Sequence, residues 1–106
     1  MSHNIADVAE HDVVPGFHGR FIHSERMTFA YWRIDAGSAI PVHAHPHEQV
    51  VNMLEGELEL VVDGEPRLLK AGDVYVVPGG VEHGARAVTD VRVLDVFAPV
   101  REDYRF

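Results

Sequence analysis

Residues 37–56 read Gly-Ser-Ala-Ile-Pro-Val-His-Ala-His-Pro-His-Glu-Gln-Val-Val-Asn-Met-Leu-Glu-Gly. Gln49, Val51 and Met53 recur at a two-residue period, the mark of a β-strand that turns one face to a core. The same parity puts His43 and His45 on one face. Side chains two apart on extended backbone have Cα atoms about 6.6 Å apart. Two imidazoles at that separation can converge on one ion at roughly 2.0–2.1 Å.

Outward from this stretch the punctuation repeats. Turn chemistry falls at Pro15-Gly16, Gly37, Pro46, Glu55-Gly56, Asp63-Gly64, Ala71-Gly72, Pro78-Gly79-Gly80 and Thr89-Asp90. Between these lie runs rich in Val, Leu, Tyr and Phe, at 27–34, 49–54, 58–62, 74–77 and 91–97. Short β-rich runs between regular turns predict an all-β chain, an antiparallel sandwich or barrel. Asp63-Gly64 and Glu55-Gly56 read as hairpin turns. No segment between Gly16 and Pro99 is long enough and free enough of Gly and Pro to predict a helix. Residues 1–15 read as a polar arm, and residues 16–106 as a single barrel domain.

Composition limits the function classes. Nine Lys and Arg against seventeen Asp and Glu give a net charge of −8, with the basic residues scattered singly. A nucleic-acid partner calls for a basic stripe and an anionic membrane for a basic cluster, so neither is expected. No cysteine is present, which excludes disulfides and thiolate metal sites. The first fifteen residues contain no apolar core of a secretory signal, and no apolar run approaches the ~20 residues that span a bilayer. The expected setting is the cytoplasm.

The last β-rich run, Val91-Arg92-Val93-Leu94-Asp95-Val96-Phe97, puts Val91, Val93, Asp95 and Phe97 on one face. The opposite register would turn Arg92 into the core, so the reading favours Asp95 inside. A carboxylate among apolar neighbours has a raised pKa and needs a purpose. Trp32 and Tyr31 lie on a predicted strand, one in the core and the other lining or exposed. His3, His11, His18 and His23 lack ligand spacing and are expected at the surface.

Two motifs together resemble a known family. Gly37-x5-His43-x-His45-x3-Gln49-x6-Gly56 is similar to the first conserved motif of the cupins, with Gln49 where a Glu is usual. Gly72-x5-Pro78-x-Gly80-x2-His83 resembles the second, with Ala87 where an Asn usually stands. The resemblance covers about residues 16–98. It implies a jelly-roll β-barrel holding one divalent metal ion on His43, His45, Gln49 and His83. Glu48 is the competing acidic ligand, but it lies an odd number of residues from both His45 and Gln49 and so faces away on an extended strand. His47 has ligand parity, yet it adjoins Pro46 in a bend and is assigned a supporting or lining place. Four neutral ligands leave the full +2 charge on the ion, making a stronger Lewis acid than a Glu-containing set. They would accept Zn, Ni, Mn, Fe or Co.

A narrower resemblance joins His43-Ala-His-Pro-His-Glu-Gln49 to Asp95-Val-Phe97-Ala-Pro-Val-Arg101-Glu-Asp-Tyr104. Both stretches look like the KdgF-type pectin-degradation cupins, which convert 4,5-unsaturated uronates to linear keto forms. The resemblance implies that Asp95 handles protons, while Phe97 and Arg101 line or anchor a small anionic sugar acid. Other readings stand beside it: a different metal-dependent isomerase, lyase or oxygenase, or a non-catalytic binding or sensing module, since one fold hosts many activities. A homodimer is expected, with the N-terminal arm available to a partner's sheet edge.

Overall fold

Burial along the chain follows the two-residue period. On Val91–Ala98 the side chains of Val91, Val93, Asp95 and Phe97 are buried while those between them are not, because a pleated strand sends alternate residues to opposite faces. The computed structural model describes residues 1–106. Its strands are β1 (His11–Val14), β2 (Phe17–His23), β3 (Thr28–Ile34), β4 (Ala39–His43), β5 (Glu48–Glu55), β6 (Glu57–Val62), β7 (Glu65–Lys70), β8 (Val74–Val77), β9 (His83–Ala87) and β10 (Val91–Ala98). Short 3-10 turns occupy Ile5–Asp7 and Glu102–Tyr104, and no helix is long and apolar enough to cross a membrane.

The strands form two antiparallel sheets, a six-stranded one in the order β1-β2-β3-β10-β5-β8 and a four-stranded one in the order β4-β9-β6-β7. This is an antiparallel jelly roll, the barrel flattened into two layers with one apolar core between them. Trp32 anchors one end of that core, edge-on to Phe17 at 6.1 Å and to Phe21 at 5.3 Å between ring centroids. Val51, Val77 and Val93 fill the middle with almost no exposure.

One of the two expected hairpins forms. Asp63 (φ 51°) and Gly64 (φ 79°) are both left-handed, as a two-residue turn matched to the twist of β6 and β7 requires. Glu55-Gly56 does not make a hairpin: β5 and β6 lie in different sheets, so this dipeptide turns a corner. Gly56 sits there at φ 85°, and a Cβ on it would come within 2.1 Å of the Asp90 carbonyl oxygen. The constraint is close backbone approach, not strand reversal.

The arm is also less free than its polarity predicts. Residues 11–14 are β1, paired with β2, and the Arg20 Nη1 donates to the carbonyls of Ile5 (3.2 Å), Ala6 (3.3 Å) and Val8 (2.9 Å). The segment is tied to its own sheet, with β1 as that sheet's outermost strand.

Candidate functional site

Register brings the two histidine motifs together. His43 ends β4 and His83 starts β9, and they are cross-strand partners with ring centroids 4.5 Å apart. His45 lies in the loop beyond β4, where the Gly80 N–H donates to its carbonyl at 2.8 Å. A Cβ on Gly79 would lie 2.3 Å from the Pro46 carbonyl oxygen, so only glycine lets the 78–80 turn dock there. Gln49, opposite Phe97 on β10 and Val77 on β8, faces the same space and is buried. The ligand atoms of His43, His45 and His83 all lie within 4.8 Å of one another. They line a cavity of about 70 Å³ whose other polar walls are Gln49, Asp95 and Arg101.

Hydrogen bonds fix the histidine tautomers. Each Nδ1 meets a carbonyl oxygen two residues away: His43 that of Pro41 (2.8 Å), His45 that of His47 (3.0 Å) and His83 that of Val81 (2.9 Å). A carbonyl only accepts, so the proton is on Nδ1 and each Nε2 carries a lone pair. The buried His83 Nε2 has no partner. The His45 Nε2 lies 3.2 Å from the Gln49 Oε1, two acceptors with no proton between them. Protonating His45 would relieve the clash, but burial, the Arg101 charge and His83 push its pKa down to about 4. Burial lowers His83 as well. Converging lone pairs with nothing to donate to them fit a bound cation, and the outward Nδ1–H bonds are the supports that such ligands use.

Across Gln49 lies Asp95, buried, with an Oδ1 that receives no hydrogen bond. Burial raises its pKa from 3.8 to about 7, against the pull of the Gln49 amide, the Trp32 indole and the Arg101 charge. At neutral pH such a carboxyl can both hold and release a proton.

Phe97 is 2% exposed and stands edge-on to His45 at 5.7 Å. Arg101 reaches the cavity from beyond β10 and is 8% exposed. Its guanidinium lies 4.7 Å from the Phe97 ring centroid and 4.2 Å from that of Tyr104. The Nε and Nη2 donate to the two Asp103 oxygens at 2.9 and 2.7 Å, so Nη1 is the end of the fork that Asp103 does not engage. Arg101 thus pairs with its near neighbour Asp103, as a surface arginine would, while its guanidinium remains buried.

The structure brings His43, His45, Gln49, His83, Asp95, Phe97 and Arg101 to one cavity. Glu48 is exposed. His47 supports His45 through its carbonyl and has a buried Nδ1 without a partner. Tyr104, assigned no role from the sequence, and Trp32 complete the wall. A second cluster, Glu10, Asp12 and His18, is no competitor. Both His18 nitrogens are taken, by Asp12 at 2.5 Å and Asp35 at 3.0 Å, and those bonds raise its pKa, so it offers an ion no lone pair.

Comparison with known proteins follows the same lines. A family model described as "Cupin domain" matches residues 30–97. The pectin degradation protein KdgF of Dickeya dadantii (strain 3937) is 38% identical over 64 residues, which are 58% of this chain and 58% of that protein. The L-ectoine synthase of Hahella chejuensis (strain KCTC 2396) is 36% identical over 75 residues, 69% of this chain and 57% of that protein. The aligned region therefore spans little more than half the length of these curated relatives. Among solved structures, that of KdgF from Halomonas sp. superposes with a TM-score of 0.89 at 31% identity over 94% of both chains.

Proposed function

The chain belongs to the cupin domain family, and we propose that it is a metal-dependent enzyme that opens and ketonises 4,5-unsaturated uronates. The observation that carries the proposal is the buried carboxyl of Asp95, with an Oδ1 that has no hydrogen-bond partner, in the same cavity as the three histidines and Arg101. A metal site that served only binding would have no need of that carboxyl. The likeness to the KdgF proteins supports the substrate class.

The reaction is an isomerisation and needs no co-reactant. The anomeric hydroxyl loses its proton as the ring C1–O5 bond breaks, and C4 gains a proton as the enol at C5 becomes a ketone. Asp95 handles the proton at carbon, its raised pKa matching the task. Arg101 holds the substrate carboxylate through the Nη1 end that Asp103 does not engage, a charge-assisted contact in a half-dry site. Phe97 forms the apolar wall that keeps Arg101 and His45 apart from bulk water. A divalent transition ion (Zn, Ni, Mn, Fe or Co) on His43, His45, His83 and Gln49 would supply Lewis-acid polarisation of the carboxylate and the adjacent oxygen, at a charge that four neutral donors leave undiminished.

The test is loss of the conjugated double bond's ultraviolet absorbance when the metal-loaded protein meets monomers released by pectin or alginate lyases. No acceleration over the spontaneous reaction would refute the substrate assignment. A different metal-dependent isomerase, lyase or oxygenase is the second reading, favoured by the L-ectoine synthase match. It would be taken up if the metal is bound and the uronates are untouched.

Gln49→Glu is expected to keep the metal and lower turnover. The change removes one unit of charge from the ion's surroundings and places a second carboxylate beside Asp95, discouraging its ionisation. Unchanged kcat in a variant with full metal content would mean that the neutral ligand set is incidental.

A homodimer is part of the proposal. On the outward face of the six-stranded sheet, Phe29, Val96, Val50 and Val76 form one cross-strand row, with Val74 and Val76 more than half exposed. The free edge of β8 continues that face, and a second copy meeting it across a two-fold axis would cover both. Light scattering should give about twice the 11.8 kDa chain mass; the chain mass itself at micromolar concentration would rule the dimer out.

A further inference from the structure

We infer that Thr28 and His23, which lie outside the cavity, are positioning residues that hold Arg101 in place for the reaction proposed above. The inference rests on that proposal for its kinetic readout and on hydrogen-bond geometry for everything else.

His23 and Thr28 are the last register pair of the β2–β3 hairpin, and Thr28 is fully buried opposite Phe97. The Arg101 backbone N–H donates to the Thr28 Oγ1 at 2.9 Å. That hydroxyl lies 2.8 Å from the His23 Nδ1, while the His23 Nε2 lies 3.2 Å from the Tyr104 carbonyl oxygen. The direction of the chain follows. The Tyr104 carbonyl can only accept, so the Nε2 carries the proton and the neutral ring accepts at Nδ1. The Thr28 hydroxyl therefore accepts from Arg101 and donates to His23.

One hairpin thus clamps both ends of the 3-10 turn that carries Arg101. That turn closes on itself through the Tyr104 N–H to the Arg101 carbonyl at 3.1 Å. Thr28 fixes the Arg101 backbone, and His23 fixes the residue whose ring covers its guanidinium. Asp103 and the Phe97 and Tyr104 rings then orient the guanidinium itself. Valine at 28 would keep the shape but leave the Arg101 N–H buried without an acceptor. The segment would then shift to find one and carry the guanidinium with it. Small displacements of a clamping group weaken substrate binding before they disturb chemistry elsewhere in the cavity.

The experiment compares Thr28→Val, Thr28→Ser, His23→Leu, Arg101→Lys and the Thr28→Val/Arg101→Lys double variant as metal-loaded proteins. Thr28→Val is expected to raise KM about tenfold, the size of one lost hydrogen bond, with metal content unchanged and kcat little affected. Thr28→Ser should return KM to within about twofold of the parent. His23→Leu, at a half-buried site, should shift KM the same way and serves if Thr28→Val folds poorly. The double variant should be no worse than Arg101→Lys alone, because the two changes remove the same function. Losses that multiply would overturn the inference. A second readout is independent of turnover: the Arg101 Nε–H proton resonance of the zinc-loaded protein, identified by its loss in Arg101→Lys and displaced by the two aromatic rings. It should move toward the exposed-arginine position in Thr28→Val and stay in Thr28→Ser. If it stays in both, the positioning role is refuted whatever the substrate proves to be. If it moves while uronates are not turned over, the substrate assignment fails and the positioning role stands.

Discussion

Asp95→Asn is expected to bind metal as the parent does and to ketonise unsaturated uronates about 10²–10⁴-fold more slowly, the usual size of a general acid–base contribution. Asparagine keeps the shape and size of the side chain but cannot carry a proton to carbon. The site isolates this change well. Asp95 faces Val51 of β5 and Ala30 of β3 in register, and its Oδ1 has no hydrogen bond to lose. The histidines hold their own orientation through Pro41, His47 and Val81. Burial already disfavours the charged carboxyl, so a neutral amide there should leave the melting temperature no lower than that of the parent. A slow variant with full metal content and an undiminished melting temperature assigns the loss to proton transfer. A variant as fast as the parent would remove Asp95 from the chemistry.

How much of this was legible in the sequence depended on which physical signal each residue carried. β5, β6, β8 and β10 alternate or run apolar in plain view, and they hold Gln49 and Asp95, so the inward face of the last strand was readable from parity. β7, with Glu65, Pro66, Arg67 and Lys70, is an outer strand of the smaller sheet. Its exposed residues hide the pattern, and it carries no predicted element. The Glu55-Gly56 reading failed because glycine signals a left-handed backbone and close approach without saying whether the chain reverses or turns a corner. The histidine ligands needed the second motif to be grouped, since His83 reaches His43 only through the β4–β9 register. His23 looked like a surface histidine because nothing local marks a side chain whose partners, Thr28 and the Tyr104 carbonyl, meet it only in the fold. Asp103 was visible as a neighbour of Arg101, but the burial of their pair depends on Phe97 and Tyr104.

Stripping the ion, or replacing one of its ligands by His83→Ala, is expected to bring turnover to the uncatalysed rate. The parent protein should carry about one equivalent of transition metal after purification without chelators, because a preformed set of converging ligands needs little rearrangement. Removing that ion removes more than a reagent. The Nε2 of His83 is buried without a partner, and the Nε2 of His45 faces the Gln49 Oε1, so the empty site leaves lone pairs opposed in a space that hydrates poorly. A ligand that binds only the folded state at a hundred times its Kd adds about 2.7 kcal/mol. For a domain of this size that is a fall in melting temperature of about 10 °C or more on chelation. Acidification should act in the same direction but late. Burial holds the pKa of His45 near 4 and lowers that of His83, so these two ligands are already proton-free at neutral pH. Competition from protons for these two therefore begins below the ordinary histidine range, and affinity should weaken as the solution is made acidic. His83→Ala should show the low melting temperature of the stripped parent and no rise on adding zinc, nickel or manganese. Elemental analysis of the parent that finds no metal, with no uptake of any of these ions in titration, would refute the metal centre and the catalytic reading built on it.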